Sequence, residues 1–303
     1  MRAAAAALSA CTVAAVFLHC GCSKIGGPVE RVSWNVMGTV ATLHVRGMGL
    51  GEGSPARKAV SAATAASREI EALFNAHSKE SELSKLACRS EDEILAVCGA
   101  GSPEDTAAAA RRCYKAAFQL AKASGLAFNP RWRGKGTLDL GAIAKGLAVD
   151  LAAERIAALV ADGAIPRNVG ILVDFGGNLK AVAGSWKVGV KNPAGEGYSG
   201  NVELEEGESI ATSARYFRGD HIRDGRTGGA VTADVASVTV RSRSAMWADG
   251  LSTTLFVLGP DEGRKFVEAS LPADCNSDFI SALWILDDGR KEKLVKHEIP
   301  PGG

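Results

Sequence analysis

The sequence predicts an α+β fold, with a mostly antiparallel sheet core and helices packed around it. Three observations predict it. Small and apolar residues recur at helical spacing over about 56–75, 102–124 and 141–162. Strand-like runs punctuated by Gly, Asn and Pro take over from 168 to 241. The composition, 46% hydrophobic and 23% charged over 303 residues, suits a chain that buries a sizeable core.

Residues 1–22 read as a secretory signal. Arg2 supplies a positive start, and Ala3 to Leu18 is an apolar run too short for a comfortable membrane span. The run ends in Phe17-Leu18-His19-Cys20-Gly21-Cys22, which resembles a bacterial lipobox with Cys22 as the lipidated residue. Simple secretion with nearby cleavage is the alternative. The chain then divides into a signal peptide at 1–21, a lipid-anchor linker at 22–35, a domain at 36–287 and a polar tail at 288–303. Export places the protein in the periplasm, where disulfides are permitted. Cys88 and Cys98 flank a charged stretch and either pair or stay free.

Within the domain, residues 36–45 alternate like a strand. A helix from about Ala56 to Asn75 carries apolar positions at Ala59, Ala63, Ala66, Ile70 and Leu73. Ser102 as cap, Pro103 at the first helical position, and Glu104 and Asp105 against the dipole open the next helix, which Gly125 stops. An Ala-rich helix starts near Gly141. Strands are expected at 168–175, 186–193, 200–204, 208–212 and 235–241. A helix at 245–259 closes at Gly259-Pro260, a further helix covers about 261–270, and a last strand covers 280–286.

Several function classes are unsupported. Lys+Arg is 35 and Asp+Glu is 34, so no basic excess points to nucleic acid. The chain has seven Cys and five His, but no C-x-x-C or H-E-x-x-H spacing. The glycines of 46–55 miss the dinucleotide fingerprint, and Gly134-Lys135-Gly136-Thr137 lacks the upstream glycine of a P-loop.

Four clusters can carry chemistry. Residues 138–146 run an apolar edge through Gly141 into a helix start with Lys145 in its first turn, a natural phosphate site or a tightly packed helix start. Residues 173–178, with Asp174 before Gly176-Gly177, let a flat ligand approach the backbone, or simply turn. Residues 211–228 place His221 among Asp220, Asp224 and Thr227, an arrangement suited to proton transfer or to a charged surface loop. Asp249 and Thr253 are four apart and share a helical face, offering oxygen ligands to a hard cation such as Mg²⁺, or a cap and a packed Thr.

Eight segments in series resemble one family. They are Met37-Gly38-Thr39, residues 74–84, 127–130, 139–146, 174–178, 211–213, 221–228 and 245–253. Together they resemble the ApbE-type FAD:protein FMN transferases, a family of flavin-trafficking lipoproteins. The resemblance implies that FAD is split at its pyrophosphate, AMP leaves, and FMN is esterified to a Thr hydroxyl of an acceptor redox protein. It implies Mg²⁺ held by Asp249, Thr253 and the Ala127 carbonyl, and His221 as proton acceptor. Lys145, Asp174, Gly176 and Gly177 would line the FAD site. Met37 and His77 would lie against the nucleotide, with Thr212 and Ser213 near the reactive region. The acceptor would be an exported or membrane-bound redox subunit, and no nucleic-acid partner is implied. Three positions depart from the family pattern: His77 stands for a usual Tyr, Asn129 for Asp, and Gly225 for Pro, the last expected to loosen its loop. A Mg²⁺-dependent FAD pyrophosphatase and a non-enzymatic flavin-binding lipoprotein are the alternative readings.

Overall fold

The computed structural model describes residues 27–215, 222–276 and 279–296. Its centre is an eight-stranded sheet, antiparallel throughout, in the order β1-β2-β3-β4-β7-β8-β9-β10. The strands are β1 Val29–Val36, β2 Thr39–Arg46, β3 Gly170–Phe175, β4 Leu179–Ala183, β7 Ser209–Ala214, β8 Val235–Ser242, β9 Ile280–Leu286 and β10 Lys291–Lys296. β5 Trp186–Lys191 and β6 Tyr198–Leu204 form a separate hairpin. Helices α1 Pro55–Phe74, α4 Glu104–Ala123, α5 Ala144–Ala161 and α6 Ala245–Ala269 cover the sheet, with short α2 Glu82–Leu86, α3 Glu91–Val97 and α7 Ala273–Asn276. No helix among the described residues is long and apolar enough to cross a membrane.

Strand alternation sorts the side chains into two cores. On one face Leu43, Val45, Ile171, Val173 and Phe175 meet the helices. On the other, Leu172, Leu179, Ala181 and Ile210 lie under Trp186, Val188 and Leu204 of the β5–β6 hairpin. α1 buries Ala56, Ala59, Ala63, Ala66, Ile70 and Phe74 at steps of three and four residues. Its last inward aromatic is thus Phe74, with Leu73 only partly buried. α5 is buried on nearly every side from Ala144 to Ala153 because it lies between the sheet and its neighbouring helices. Its Ala-rich sequence is what lets backbones approach there.

Several boundaries differ from the sequence expectations. Val29–Val36 is the edge strand β1, so half of the stretch read as linker, residues 29–35, belongs to the sheet. Lys291–Lys296 pairs along β9, so the stretch read as a polar tail contains β10. Both are edge strands whose charged residues hide the strand pattern. The strand expected from Val36 begins at Thr39, after a turn at Met37-Gly38. Ser102 does not cap α4; Pro103 occupies the cap position with no side-chain bond, and Glu104 and Asp105 fill the first turn. The Ala-rich helix starts at Ala144 rather than Gly141. Cys88 is exposed while Cys98 is buried, and both are free thiols.

Candidate functional site

The site forms where α5 meets α6. The two helices run in opposite directions, and each offers a carboxylate to the amino-terminal end of the other. Asp150 of α5 accepts the backbone N–H of Ala245 at 3.0 Å and of Met246 at 2.9 Å, and the Ser244 hydroxyl at 2.8 Å. Asp249 of α6 accepts the Gly146 N–H through Oδ2 at 3.0 Å. N–H groups of a first helical turn have no partner in their own helix, and a neighbouring carboxylate meets both that need and the positive end of the dipole. Lys180 pairs with Asp150 at 2.8 Å. Gly146 makes the crossing possible, because a Cβ there would strike the Ala245 carbonyl and lie 2.8 Å from Asp249 Cβ.

Around Asp249 the structure gathers four of the expected residues. Asp249 is 5% exposed, and Lys145 Nζ stands 3.8 Å from its Oδ2 while donating to the Gly141 carbonyl at 2.8 Å. Thr253, one turn further, has its hydroxyl 3.1 Å from that of Ser213 on β7. The Ser213 hydroxyl also lies 2.8 Å from that of Ser252, which donates to the Asp249 backbone carbonyl at 2.9 Å. The result is one buried carboxylate and three hydroxyls beside one ammonium. No group of three His, Cys, Asp or Glu side chains suited to a metal occurs among the described residues. The donors gathered here are oxygens of mixed type, which suit a hard cation better than zinc.

Ala127 is tied to a neighbouring loop. Its carbonyl accepts the Gly225 N–H at 3.1 Å, and Asn129 Nδ2 donates to the Gly225 carbonyl at 2.9 Å. A Cβ on Gly225 would lie 2.5 Å from the Leu126 carbonyl oxygen. Gly225 is thus held at both its N–H and its carbonyl. A proline has no N–H to give Ala127, and a carboxylate at 129 has no N–H to give Gly225, so the two departures serve one clamp. In the same loop Arg226 binds the Asp224 carboxylate and holds it below the usual carboxylate range. Thr227 Oγ1 accepts the Gly229 N–H. The expected base, His221, and the expected lipid anchor, Cys22, lie outside the described residues.

The remaining expected residues sit at the end of the sheet or apart. The registers Val36↔Thr39 and Ala41↔Phe175 place the turns at Met37-Gly38 and Gly176-Gly177 at the same sheet end. Gly176 and Gly177 have φ of 64° and 99°. Asp174 pairs with Thr42 and Leu179, so it shares the sheet face of the smaller core. It steadies the turn by accepting the Gly177 N–H at 2.9 Å. Burial pushes its carboxyl up to about 6, against the two glycine N–H groups that favour the charged form. Thr212 does not join Ser213: its hydroxyl meets Thr239 at 3.0 Å, because successive strand residues face opposite sides. His77 is exposed between α1 and α2, with its backbone N–H on Asn75 Oδ1. Sequence reasoning missed Ser252, Asp150 and the Asn129–Gly225 clamp. The four-residue spacing of Gly146 and Asp150 is the local signal that could have placed Asp150 on the same helix face as Gly146.

Residues 131–276 match the ApbE family. Among curated relatives, the FAD:protein FMN transferase of Vibrio cholerae is 33% identical over 174 residues, 51% of this chain and 47% of that protein. That of Treponema pallidum is 34% identical over 175 residues, 50% of this chain and 44% of that protein. The chain spans about half the length, or less, of the curated relatives it matches. The ApbE protein of Thermotoga maritima shares the fold with a TM-score of 0.64 over 88% of this chain and 97% of that one, at 22% identity. The flavin transferase ApbE of Vibrio cholerae gives 0.62 over the same shares at 20% identity. Lys145, Asp150, Ser213, Asp249 and Thr253 all lie inside the segment, residues 131–276, that is similar to the ApbE family, and the chain shares the fold of solved ApbE proteins.

Proposed function

We propose that this protein transfers FMN from FAD to a threonine hydroxyl of an acceptor redox protein, releasing AMP, in a Mg²⁺-dependent reaction. The observation that carries the reading is the oxygen cluster of Asp249, Thr253 and Ser213 beside Lys145 at the start of α5. The names of the curated relatives support it. Asp249 and Thr253 would hold the metal together with the Ala127 carbonyl, which has a second lone pair beyond its bond to Gly225. Bound there, Mg²⁺ supplies neutralisation of pyrophosphate charge. Lys145 would add a positive charge on the same side, and the Met37 and Gly176 turns, which share one sheet end, would bound the flavin nucleotide. His221 accepts the proton of the attacking threonine hydroxyl. The new bond joins that oxygen to the FMN phosphorus as the bond to the AMP oxygen breaks, so AMP leaves with the electron pair. Positioning and charge neutralisation lower the barrier.

The deciding experiment incubates the purified chain with FAD and Mg²⁺, with and without an acceptor peptide, and identifies products by mass. AMP and flavinylated peptide are expected. AMP and FMN without any peptide adduct would replace the transferase by a pyrophosphatase, and no AMP under either condition would end both readings. We further propose export and a lipid anchor at Cys22, supported by the amino-terminal pattern. Cys22→Ser is expected to release the protein from the membrane fraction; unchanged partition overturns the anchor.

A further inference from the structure

Met37 adopts φ 50° in a two-residue turn with Gly38 at φ 66°. Val36 and Thr39 pair on either side of it. Such tight hairpin turns require positive φ at both central residues and are normally filled by Asn, Asp or Gly. A long apolar side chain rarely takes this conformation, and residues held so persist only where their surroundings over-determine them. Here two contacts do so. The Met37 N–H donates to Glu71 Oε1 of α1 at 2.6 Å. From the other side Thr39 abuts Gly176 so closely that a Cβ on Gly176 would collide with its side chain. Glu71 enters no ion pair among the described residues. Its carboxylate thus serves the turn. The partly buried Met37 packs on the main core, on the helix side of the sheet, the side that also carries Asp249 and Thr253.

We propose that Glu71 is a positioning residue for flavin binding: its carboxylate locks the left-handed Met37 turn and so presents the Met37 side chain as a preformed wall for FAD. The proposal rests on the transferase reading of the site. A polarisable thioether on a fixed turn suits a flat aromatic ligand, and fixing the turn beforehand removes the cost of ordering it at binding.

The test measures FAD affinity by flavin fluorescence, without turnover, for the parent, Glu71→Ala, Glu71→Gln, Met37→Gly and Glu71→Ala combined with Met37→Gly. Thermal melts and the Met37 amide proton shift are recorded alongside. Losing a hydrogen bond to a charged acceptor should raise the Kd about tenfold in Glu71→Ala. Gln still accepts the N–H and should stay within about threefold. In the Met37→Gly background, where the turn needs no holding, Glu71→Ala should cost less than about twofold. The downfield Met37 amide signal should vanish in Glu71→Ala and persist in Glu71→Gln. Should Glu71→Ala fail to fold, Glu71→Asp shortens the reach while keeping charge, and is expected to show a partial loss. An unchanged Kd in Glu71→Ala, or the same loss with and without Met37, overturns the proposal while leaving the transferase reading intact. A parent chain that does not bind FAD overturns both.

Discussion

Asp249 is held by the Gly146 N–H at Oδ2, the oxygen that also faces the Lys145 ammonium. Asp249→Asn keeps an oxygen for the Gly146 N–H but removes the charge. We expect AMP release to fall by on the order of a hundredfold or more, with the melting temperature little changed. Full activity of this variant in chelator would remove Asp249 from the metal site. Two other buried residues set opposing pH dependences. His44 lies beneath Trp186, and neither ring nitrogen has a hydrogen-bond partner among the described residues. Burial, helped by Arg31, pulls its pKa from 6.5 to about 4. Its contribution is complete above pH 6.5 and is lost as pH falls through about 4. Asp174, raised from 3.8 to about 6, contributes fully below 3.8 and loses that as pH rises through about 6. Each gap corresponds to about 3 kcal/mol, so the two largely offset between pH 4 and 6.5. His44→Leu should unmask falling stability with rising pH, and Asp174→Asn the reverse. Melting curves across pH 4–7 that run parallel to the parent would show that neither group is perturbed.

At the scale of elements, the α5–α6 crossing positions the site. Glycine inside a helix disfavours it by roughly 1 kcal/mol relative to alanine. Propensity alone therefore predicts that Gly146→Ala stabilises the protein. The Ala245 carbonyl and Asp249 Cβ occupy the space a methyl would need. Overpacking of this kind costs about 1–3 kcal/mol, and parting the helices would also withdraw Asp249 from the Gly146 N–H. We expect a lower melting temperature and reduced FAD turnover. A stabilised, fully active Gly146→Ala would show that the helices do not meet as closely as described. Further along α6, Gly259 at φ 72° followed by Pro260 breaks the helix, as the sequence predicts. The Asp249–Thr253 turn lies upstream of that break.

At the scale of the whole molecule, both edges of the sheet matter. β10 pairs with β9 along six positions, buries Leu294, and receives the Arg264 guanidinium at the Lys293 carbonyl. Lys296 reaches back to the Val267 carbonyl on α6. A chain ending at Arg290 would lose these contacts and expose Ile280–Leu286 as an apolar edge. We expect a loss of about 3 kcal/mol or more, read as a lower urea midpoint, together with self-association on size-exclusion chromatography. An unchanged midpoint and monomer profile would return these residues to the status of a tail.

The sequence by itself determined the long helices and the inner strands other than β4, whose five residues Leu179–Ala183 are too short a run to stand out after the Gly176-Gly177 turn. Ala59, Ala63, Ala66 and Ile70 mark a face at helical period, and residues 280–286 mark a buried strand, because period is written in consecutive residues. The Asp249–Thr253 pair was legible for the same reason. The edge strands were not, since Val29–Val36 and Lys291–Lys296 carry charges that face water on an edge. Tertiary structure alone decided that Asp249 meets Gly146 across 103 residues, that Asn129 meets Gly225 across 96, and that Met37 is held by Glu71 across 34. It also parted Thr212 from Ser213, although they are neighbours in sequence. Local order follows from steric and hydrophobic preferences a few residues wide. Those long-range partners follow from how the helices cross and the strands register, which no short window of sequence contains.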